Sequence, residues 1–230
     1  MFINKGLKSF FYHLFEKTYL NNALIIYYMN KYKFSVDWFS GHIPIWNYFL
    51  HQYKGKPSLN FLEIGSFQGK ASVWLLENIL TDKTSKLTCI DTFEGSIEHH
   101  INPEYKSMLT SLYDIFRHNI SYFEDQVIVI KDKSENALYL LKKNTYDFVY
   151  IDGDHHSRAV IQDAILSFPL LKIGGIMIFD DYTWGINNEN DAKYNIVAPR
   201  PAIDAFLLFY REKIEILNIN QQVIIKKLKH

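Results

Sequence analysis

The sequence has little cysteine and no excess of charge of either sign. Cys89 is the one cysteine among 230 residues, which excludes a disulfide framework and a zinc site of the CxxC kind. Lysine plus arginine and aspartate plus glutamate both number 25, so no overall field attracts nucleic acid. We therefore expect a cytoplasmic protein that does not act on nucleic acid.

Long apolar runs are missing as well. The segment 1–58 is basic and aromatic, but its longest purely apolar run, ALIIYYM, is far shorter than the roughly 20 residues that cross a bilayer. We therefore expect no transmembrane segment and no signal peptide. Amphipathic helices that cap the domain or form a homodimer contact are the favoured interpretation. The alternative is peripheral membrane contact through Lys5, Lys8 and Lys17.

The rest of the chain, 59–230, alternates short apolar runs with longer segments of helical periodicity. The runs lack polar alternation, which is typical of strands buried on both faces of a parallel sheet; they read LNFLEIG, KLTCID, VIVIK, DFVYID and GGIMIFD. Two further runs, KIEILNIN and QQVIIKKLK, are nearly contiguous and predict an antiparallel hairpin. The pattern predicts an α/β, doubly wound, mostly parallel seven-stranded sheet with an N-terminal helical cap over residues 1–58.

Acidic side chains recur where the predicted strands end. Glu63 lies near the end of the first strand, Asp91 follows the second, Asp152 the fourth, and Asp180 and Asp181 the fifth. Ligands of open parallel sheets bind beyond these carboxyl ends, where the strand order reverses. A single strand-terminal aspartate is common in turns and helix caps. The recurrence favours a binding cleft.

A glycine-containing loop, GSFQG, follows the first strand and begins at Gly65. Glycine lets the backbone turn sharply and approach a ligand closely. The loop is neither the G-x-G-x-x-G dinucleotide fingerprint nor a triphosphate-binding loop with a lysine before serine or threonine. Because Glu63 stands beside the turn, the loop favours a cationic or hydroxyl-bearing small molecule over a phosphate.

These segments together resemble class I S-adenosylmethionine-dependent methyltransferases. FLEIGSFQGKAS is similar to the first motif of that family, and CIDTF is similar to the second. The segment from DFVYIDGDHH to GGIMIFDDY resembles small O-methyltransferases with a catechol-type metal site. The resemblance covers about residues 59–228. It implies a Rossmann-like methyltransferase fold, S-adenosylmethionine as cofactor and a small hydroxylated molecule as acceptor.

The resemblance assigns a set of residues to the cofactor. Residues of the glycine loop would line its methionine and ribose part, Asp91 would accept hydrogen bonds from both ribose hydroxyls, and Ser134 would contact adenine. The full set is Glu63, Gly65, Ser66, Gly69, Asp91, Thr92, Ser134 and Asp152.

The resemblance also implies a metal site. Asp152, Asp180 and Asp181 occupy the positions that hold Mg²⁺ in catechol-type O-methyltransferases, and Mg²⁺ favours such oxygen ligands. A hydroxyl beside the ion loses its proton more easily. The alternative is that Asp152 caps the next helix and Asp181 lies in a turn.

His155 is the candidate general base or a neighbour of the metal. It stands three residues after Asp152, where metal-dependent relatives carry a lysine, and an imidazole titrates near neutrality. The alternative is a residue of the first helical turn that bonds to a nearby carboxylate. Asp154 is interpreted as a helix cap or as a residue that supports the metal ligands, and His156 as a surface or rim residue.

Aromatic segments flank the matched motifs. Four residues of DWFSGHIPIW form either a lid over the site or the core of the cap: Trp38, Phe39, His42 and Trp46. Tyr182 and Trp184, after the fifth strand, either shape the acceptor pocket or cover the sheet edge. We expect the segment 95–122 to form a helix and a loop that cover one rim.

Four functions remain open from the sequence. The favoured one is Mg²⁺-assisted O-methylation of a small molecule or secondary metabolite. The second keeps the fold and cofactor without a metal, for N- or carboxyl methylation. The third is a non-catalytic cofactor-binding or assembly protein, and the fourth is a hydroxylase-associated protein, as the resemblance implies for some relatives.

Overall fold

A computed structural model describes residues 31–186 and 197–230 of the chain. Within these ranges seven strands form one sheet: β1 Asn60–Ile64, β2 Lys86–Ile90, β3 Val127–Ile130, β4 Tyr146–Ile151, β5 Leu171–Phe179, β6 Ile214–Ile219 and β7 Val223–Lys227. Their order is β3-β2-β1-β4-β5-β7-β6. The first five strands pair in parallel, and β7 pairs antiparallel with both β5 and β6. The predicted fold class and C-terminal hairpin are therefore confirmed.

Eight α-helices in the described ranges accompany the sheet: α1 Ile43–Leu50, α2 Lys70–Asn78, α3 Ile97–Ile101, α4 Pro103–Leu109, α5 Leu112–Ile120, α6 Ser134–Ala137, α7 Ser157–Ser167 and α8 Arg200–Tyr210. The expectation of one helix and a loop over 95–122 was wrong, because this segment forms three short helices. Pro103 begins α4, and the side chain of Asn102 accepts a hydrogen bond from the backbone of Glu104. Proline lacks the N–H that would continue the preceding helix, so the chain starts a new one.

The sheet is covered on both faces, as the uninterrupted apolar runs predict. Alternate residues of β4 point to opposite sides: Phe148 and Tyr150 belong to a core shared with α1, α2 and α5, whereas Val149 and Ile151 belong to a core shared with α7 and α8. Burial on both faces explains why these strands lack polar alternation.

The segment from residue 31 to 58 packs into the same core as the strands. Trp46 of α1 is fully buried, and its indole N–H donates to Gln222 Oε1 at 2.8 Å. Its ring also meets Tyr150 edge-on, at 4.8 Å between centroids. The boundary at residue 59 stays a prediction, and the dimer and membrane hypotheses rest on residues 1–30, which lie outside the described part. None of the helices in residues 31–186 and 197–230 combines the length and apolar character that a membrane span requires.

Candidate functional site

The parallel strands bring the predicted carboxylates to one edge of the sheet. Ile151 of β4 pairs with Phe179 of β5, so the residues that follow them, Asp152 and Asp180, leave the sheet side by side. The strand order reverses between β1 and β4, which are neighbours in the sheet. The site therefore lies at the topological switch point, where open α/β sheets bind ligands.

Two adjoining cavities occupy this edge. The larger, of about 440 Å³, is lined by Glu63, Ser66, His155, Asp180 and Asp181 among others. The smaller, of about 380 Å³, is lined by Asp91, Thr92 and Ser134. Gly65 and Asp152 line both. Of the eight predicted cofactor residues, the structure thus places seven on the walls of these cavities.

Gly69 is the predicted cofactor residue that lines neither cavity. It precedes α2 with a φ of 79°, and a Cβ atom there would lie 2.9 Å from the ring of Phe116. Gly65 is constrained more tightly, with a φ of 84° and a Cβ position only 1.9 Å from the carbonyl oxygen of Asp152. The loop between β1 and α2 therefore passes directly over the end of β4, and only glycine fits at that crossing.

The Asp91 carboxylate holds the same loop in place. Its Oδ2 accepts hydrogen bonds from the backbone N–H groups of Ser66 at 2.7 Å and Phe67 at 2.8 Å. Its Oδ1 accepts from the backbone of Phe93 at 2.6 Å. Each carboxylate oxygen has two acceptor positions, so one position on Oδ1 remains for a hydroxyl donor from the smaller cavity. The role in binding ribose stays a prediction, and the structure adds a role in ordering the loop.

Glu63 is a fully buried carboxyl on the wall of the larger cavity. Its Oε2 accepts hydrogen bonds from the hydroxyls of Ser66, at 2.8 Å, and Ser72. Burial raises the pKa of Glu63 to about 7. Within the described ranges its Oε1 has no hydrogen-bond partner. A buried acceptor without a donor is costly, so this atom favours a ligand that carries N–H or O–H groups.

Tyr150 joins the ends of β4 and β5. Its hydroxyl lies 2.9 Å from Asp152 Oδ2 and also contacts Asp180 Oδ2. Burial, followed by the charge of Asp180, raises the pKa of Asp152 well above its ordinary value. Burial, followed by the charge of Asp181, raises the pKa of Asp180. Mutual repulsion disfavours the charged forms of carboxyls that are crowded in this way. A bound cation would favour those charged forms.

His155 and Asp181 form a close pair beside these carboxyls. His155 Nε2 lies 2.9 Å from Asp181 Oδ2, and Asp181 adopts a left-handed backbone conformation with a φ of 56°. One candidate ligand atom from each of Asp152, His155 and Asp181 lies within 4.8 Å of the others. Asp180 is not in this group; its carboxylate accepts from Tyr150 and from the Asp181 backbone. The geometric group thus contains His155 where the resemblance implied Asp180.

The turn before α7 presents His155 to the cavity. The Asp154 carboxylate accepts a hydrogen bond from the backbone N–H of His156 at 2.9 Å, and α7 begins at the next residue. The N-cap residue of α7 is His156, which makes no side-chain capping bond, so Asp154 orders the preceding turn instead of capping the helix. His156 lines neither cavity, whereas His155 lines the larger one.

The aromatic residues divide between the cavity and the core. Trp38, Phe39 and His42 line the larger cavity, but Trp46 lies in the core. Trp184 lines the cavity with its ring 4.8 Å from that of His155, whereas Tyr182 is buried outside it and donates to Asp204 at 2.8 Å.

An aromatic wall, formed by Trp38, Phe67, His99 and Tyr105, was not predicted from the sequence as a unit. The ring of Phe67 lies 5.2 Å from those of Trp38 and His99, and Trp38 lies 5.3 Å from Tyr105. All four line the larger cavity. They come from the cap, the glycine loop and two helices, so no local sequence signal groups them. Tyr150 was also missed, although it stands two residues before Asp152, a spacing that puts both side chains on the same side of an extended chain.

The chain is similar in sequence to known methyltransferases. A family model described as "Methyltransferase domain" matches residues 62–182. Tapetum-specific methyltransferase 1 of Arabidopsis thaliana is 26% identical over 166 residues, which cover 70% of this chain and 65% of the relative. The chain spans 53% and 65% of the lengths of the two curated relatives that it matches.

Solved structures that share the fold include two methyltransferases. The O-methyltransferase from Bacillus cereus, in complex with SAH, superposes with a TM-score of 0.53 at 17% identity and covers 93% of this chain and 90% of that one. The MycE methyltransferase of the mycinamycin biosynthetic pathway, in complex with Mg, SAH and mycinamycin VI, gives a TM-score of 0.55 at 12% identity, over 84% and 51%. At these identities the likeness is one of fold.

Proposed function

This chain belongs to the methyltransferase-domain family, and we propose that it is an S-adenosylmethionine-dependent O-methyltransferase that acts on a small hydroxylated molecule with the help of Mg²⁺. The observation that carries the proposal is the junction of the two cavities. There, Asp152 lines both cavities and lies beside His155 and Asp181. Binding, metal and proton-transfer groups thus lie close together at the edge where the fold binds ligands.

The smaller cavity is the proposed site of the adenosine part of the cofactor. Asp91 would accept from a ribose hydroxyl, with Thr92 and Ser134 farther along the same cavity. The methionine part would extend past Gly65 into the larger cavity, where the unpartnered Oε1 of Glu63 would accept from an N–H or O–H donor. The complex of the Bacillus cereus enzyme with SAH supports this assignment at the level of the fold.

Asp152 and Asp181 are the proposed ligands of the ion. Mg²⁺ prefers oxygen ligands and keeps several water molecules, so two carboxylates suffice. Imidazole suits softer transition metals better, which leaves His155 for proton transfer. The presence of Mg in the MycE complex supports a metal on this fold.

His155 is the proposed general base, and Asp181, whose Oδ2 lies 2.9 Å from His155 Nε2, would hold the imidazole in place. When bound, S-adenosylmethionine supplies a methyl group on a positively charged sulfur, and Mg²⁺ supplies positive charge beside the acceptor oxygen. The acceptor hydroxyl would give its proton to the imidazole of His155. The acceptor oxygen would then take the methyl group, and the electron pair of the broken carbon–sulfur bond would stay on sulfur. The products are a methyl ether and S-adenosylhomocysteine.

The walls of the larger cavity favour an acceptor with a flat or apolar body. The aromatic wall lies on one side, and Trp184 stands next to His155. Aromatic side chains offer large apolar contact surfaces to such molecules. We therefore propose an acceptor that stacks on these rings and directs one hydroxyl toward His155.

Metal removal tests the proposal directly. We expect methyl transfer from tritiated S-adenosylmethionine to a panel of catechols, phenols and glycosides to fall by roughly 10²-fold or more in EDTA, because the ion supplies several kcal/mol of charge stabilisation. Addition of excess Mg²⁺ should restore turnover. Transfer that is unchanged in EDTA would instead support the metal-independent methyltransferase.

The ligand set can be tested with Mn²⁺ as a spectroscopic probe. We expect Asp181→Asn to weaken Mn²⁺ binding, followed by electron paramagnetic resonance, by about 10-fold or more. Asp180→Asn is the matched control, with the same change at the neighbouring residue, and should weaken binding less, because Asp180 lies outside the group of Asp152, His155 and Asp181. An equal or larger effect of Asp180→Asn would favour the ligand set implied by the sequence resemblance.

A further inference from the structure

A strap, residues 33–38, runs along the larger cavity ahead of α1 without forming a helix or a strand. Its residues Phe34, Val36 and Trp38 line that cavity, and Trp38 belongs to the aromatic wall. The residues between them, Ser35 and Asp37, are exposed and do not line it. This alternation is typical of an extended chain with one side toward the cavity. The shape of the proposed acceptor site therefore depends on where the strap lies.

Two buried amide side chains hold the strap by its polar groups. Asn119 of α5 accepts a hydrogen bond from the backbone N–H of Lys33 at 2.7 Å and donates to the carbonyl oxygen of the same residue at 2.8 Å. Gln68 of the glycine loop accepts from the backbone N–H of Ser35 at 2.7 Å and donates to its hydroxyl at 2.9 Å. Asn119 is fully buried, and Gln68 is 2% exposed. Moving the strap away would leave buried amides unpaired, which is costly.

A further tie within the strap is an ion pair, with 2.7 Å between Asp37 Oδ2 and Lys70 Nζ. In this pair 50% of the Asp37 side chain and 27% of the Lys70 side chain are exposed. Ion pairs that water can reach contribute little to stability. The bonds to the two buried amides therefore provide most of the hold on residues 33–38.

The glycine loop has supports that do not involve the side chain of Gln68. Asp91 accepts hydrogen bonds from the backbone of Ser66 and Phe67, and Asn119 donates to the carbonyl oxygen of Gln68 at 2.8 Å. The loop should therefore keep its position when the Gln68 amide is removed. The strap, in contrast, would lose both of the bonds that Ser35 makes to this amide.

We propose that Gln68 is a positioning residue for the acceptor, because it fixes the strap that carries Phe34, Val36 and Trp38 into the wall of the larger cavity. The inference rests on the proposed methyl transfer, since it concerns the acceptor half of that site. An apolar wall contacts the acceptor both before and during the reaction. Loosening the wall therefore raises the KM for the acceptor and leaves kcat nearly unchanged.

Gln68→Met tests the proposal, because methionine has a similar length but offers no N–H donor and only a weak acceptor. Hydrogen exchange, followed by mass spectrometry on peptides that cover residues 31–38, should become about 10-fold faster. The KM for the fastest-reacting compound of the catechol, phenol and glycoside panel should rise by roughly 10-fold. The affinity for S-adenosylhomocysteine, measured by calorimetry, should stay nearly the same.

Gln126→Met is the matched control. Gln126 is also 2% exposed, and its amide donates to the carbonyl oxygens of Leu80 at 2.9 Å and Asp82 at 3.1 Å. These residues precede β2 and β3, so they lie at the amino ends of the strands, opposite the site. The control removes a buried amide as well, but it should change neither the exchange of the strap nor the KM. Ser35→Ala, at an exposed position, removes only the hydroxyl bond and should accelerate exchange less than Gln68→Met does.

Unchanged exchange of residues 31–38 in both Gln68→Met and Ser35→Ala overturns the proposal. Faster exchange without a rise in KM overturns the role in acceptor binding, and an equal rise in KM in Gln126→Met assigns the effect to a general loss of stability. The exchange measurement needs neither cofactor nor acceptor, so it decides the hold on the strap independently of the chemistry. Failure of the unaltered, folded protein to bind S-adenosylhomocysteine would contradict the proposed cofactor instead.

Discussion

Replacing Gly65 with alanine should destabilise the protein by roughly 3 kcal/mol or more and abolish cofactor binding. The new methyl group would lie 1.9 Å from the carbonyl oxygen and 2.4 Å from the carbonyl carbon of Asp152, both backbone atoms that no rotamer change can move aside. The loop must therefore separate from the end of β4. This separation would distort both cavities, since Gly65 and Asp152 line each of them.

Gly174→Ala is the matched control for this prediction. Gly174 has nearly the same backbone angle, with a φ of 82°, but nothing lies within 4 Å of its Cβ position. The substitution should lower the free energy of unfolding only by the strain of the left-handed backbone, about 1–2 kcal/mol, and leave the affinity for S-adenosylhomocysteine unchanged. Urea unfolding and calorimetry measure both quantities. Equal losses of stability in the two variants would show that backbone strain alone, and not the close passage over the end of β4, requires glycine at position 65.

Replacing His155 with alanine should lower kcat by roughly 10²–10⁴-fold, the usual contribution of a general base. His155 lines the larger cavity, with Nε2 2.9 Å from Asp181 Oδ2. The matched control is His156→Ala, which removes the adjacent imidazole, a side chain outside both cavities, and should retain nearly full turnover. Near-normal turnover of His155→Ala would assign this residue to the helix turn alone.

The affinity for Mn²⁺ separates the two possible roles of His155. If it is the base, His155→Ala should bind Mn²⁺ almost as tightly as the unaltered protein while turnover is lost. If it is a ligand within the group of Asp152, His155 and Asp181, the affinity should fall together with turnover. The first result supports the proposed mechanism, and the second replaces it with an imidazole-containing metal site.

The fold could be predicted from the sequence because the patterns that indicate its strands are local. Apolar runs such as FVYI in β4 lack polar alternation since residues on both sides of the strand are buried. The carboxylates at the strand ends could be grouped for the same reason, because parallel strands all end at one edge of the sheet. Asp152 and Asp180 follow paired residues of β4 and β5, which is what this topology requires.

Which side chains pair within the site could not be predicted from the sequence in the same way. Which aspartate faces His155 depends on the left-handed backbone of Asp181 and on the hydrogen bond between Tyr150 and Asp180. The hydrogen bonds of Asp91 to the glycine loop likewise depend on how closely two segments approach. The aromatic wall joins residues that are far apart in the chain. Such contacts follow from packing, for which one sequence has no periodic signal.

The measurement that tests the central claim most directly is a calorimetric titration of the unaltered protein with S-adenosylhomocysteine. The account predicts saturable binding of one equivalent, which is lost in Gly65→Ala and retained in Gly174→Ala. Absence of binding by a protein whose circular dichroism and cooperative melting show that it is folded would contradict the proposed cofactor and, with it, the proposed methyl transfer.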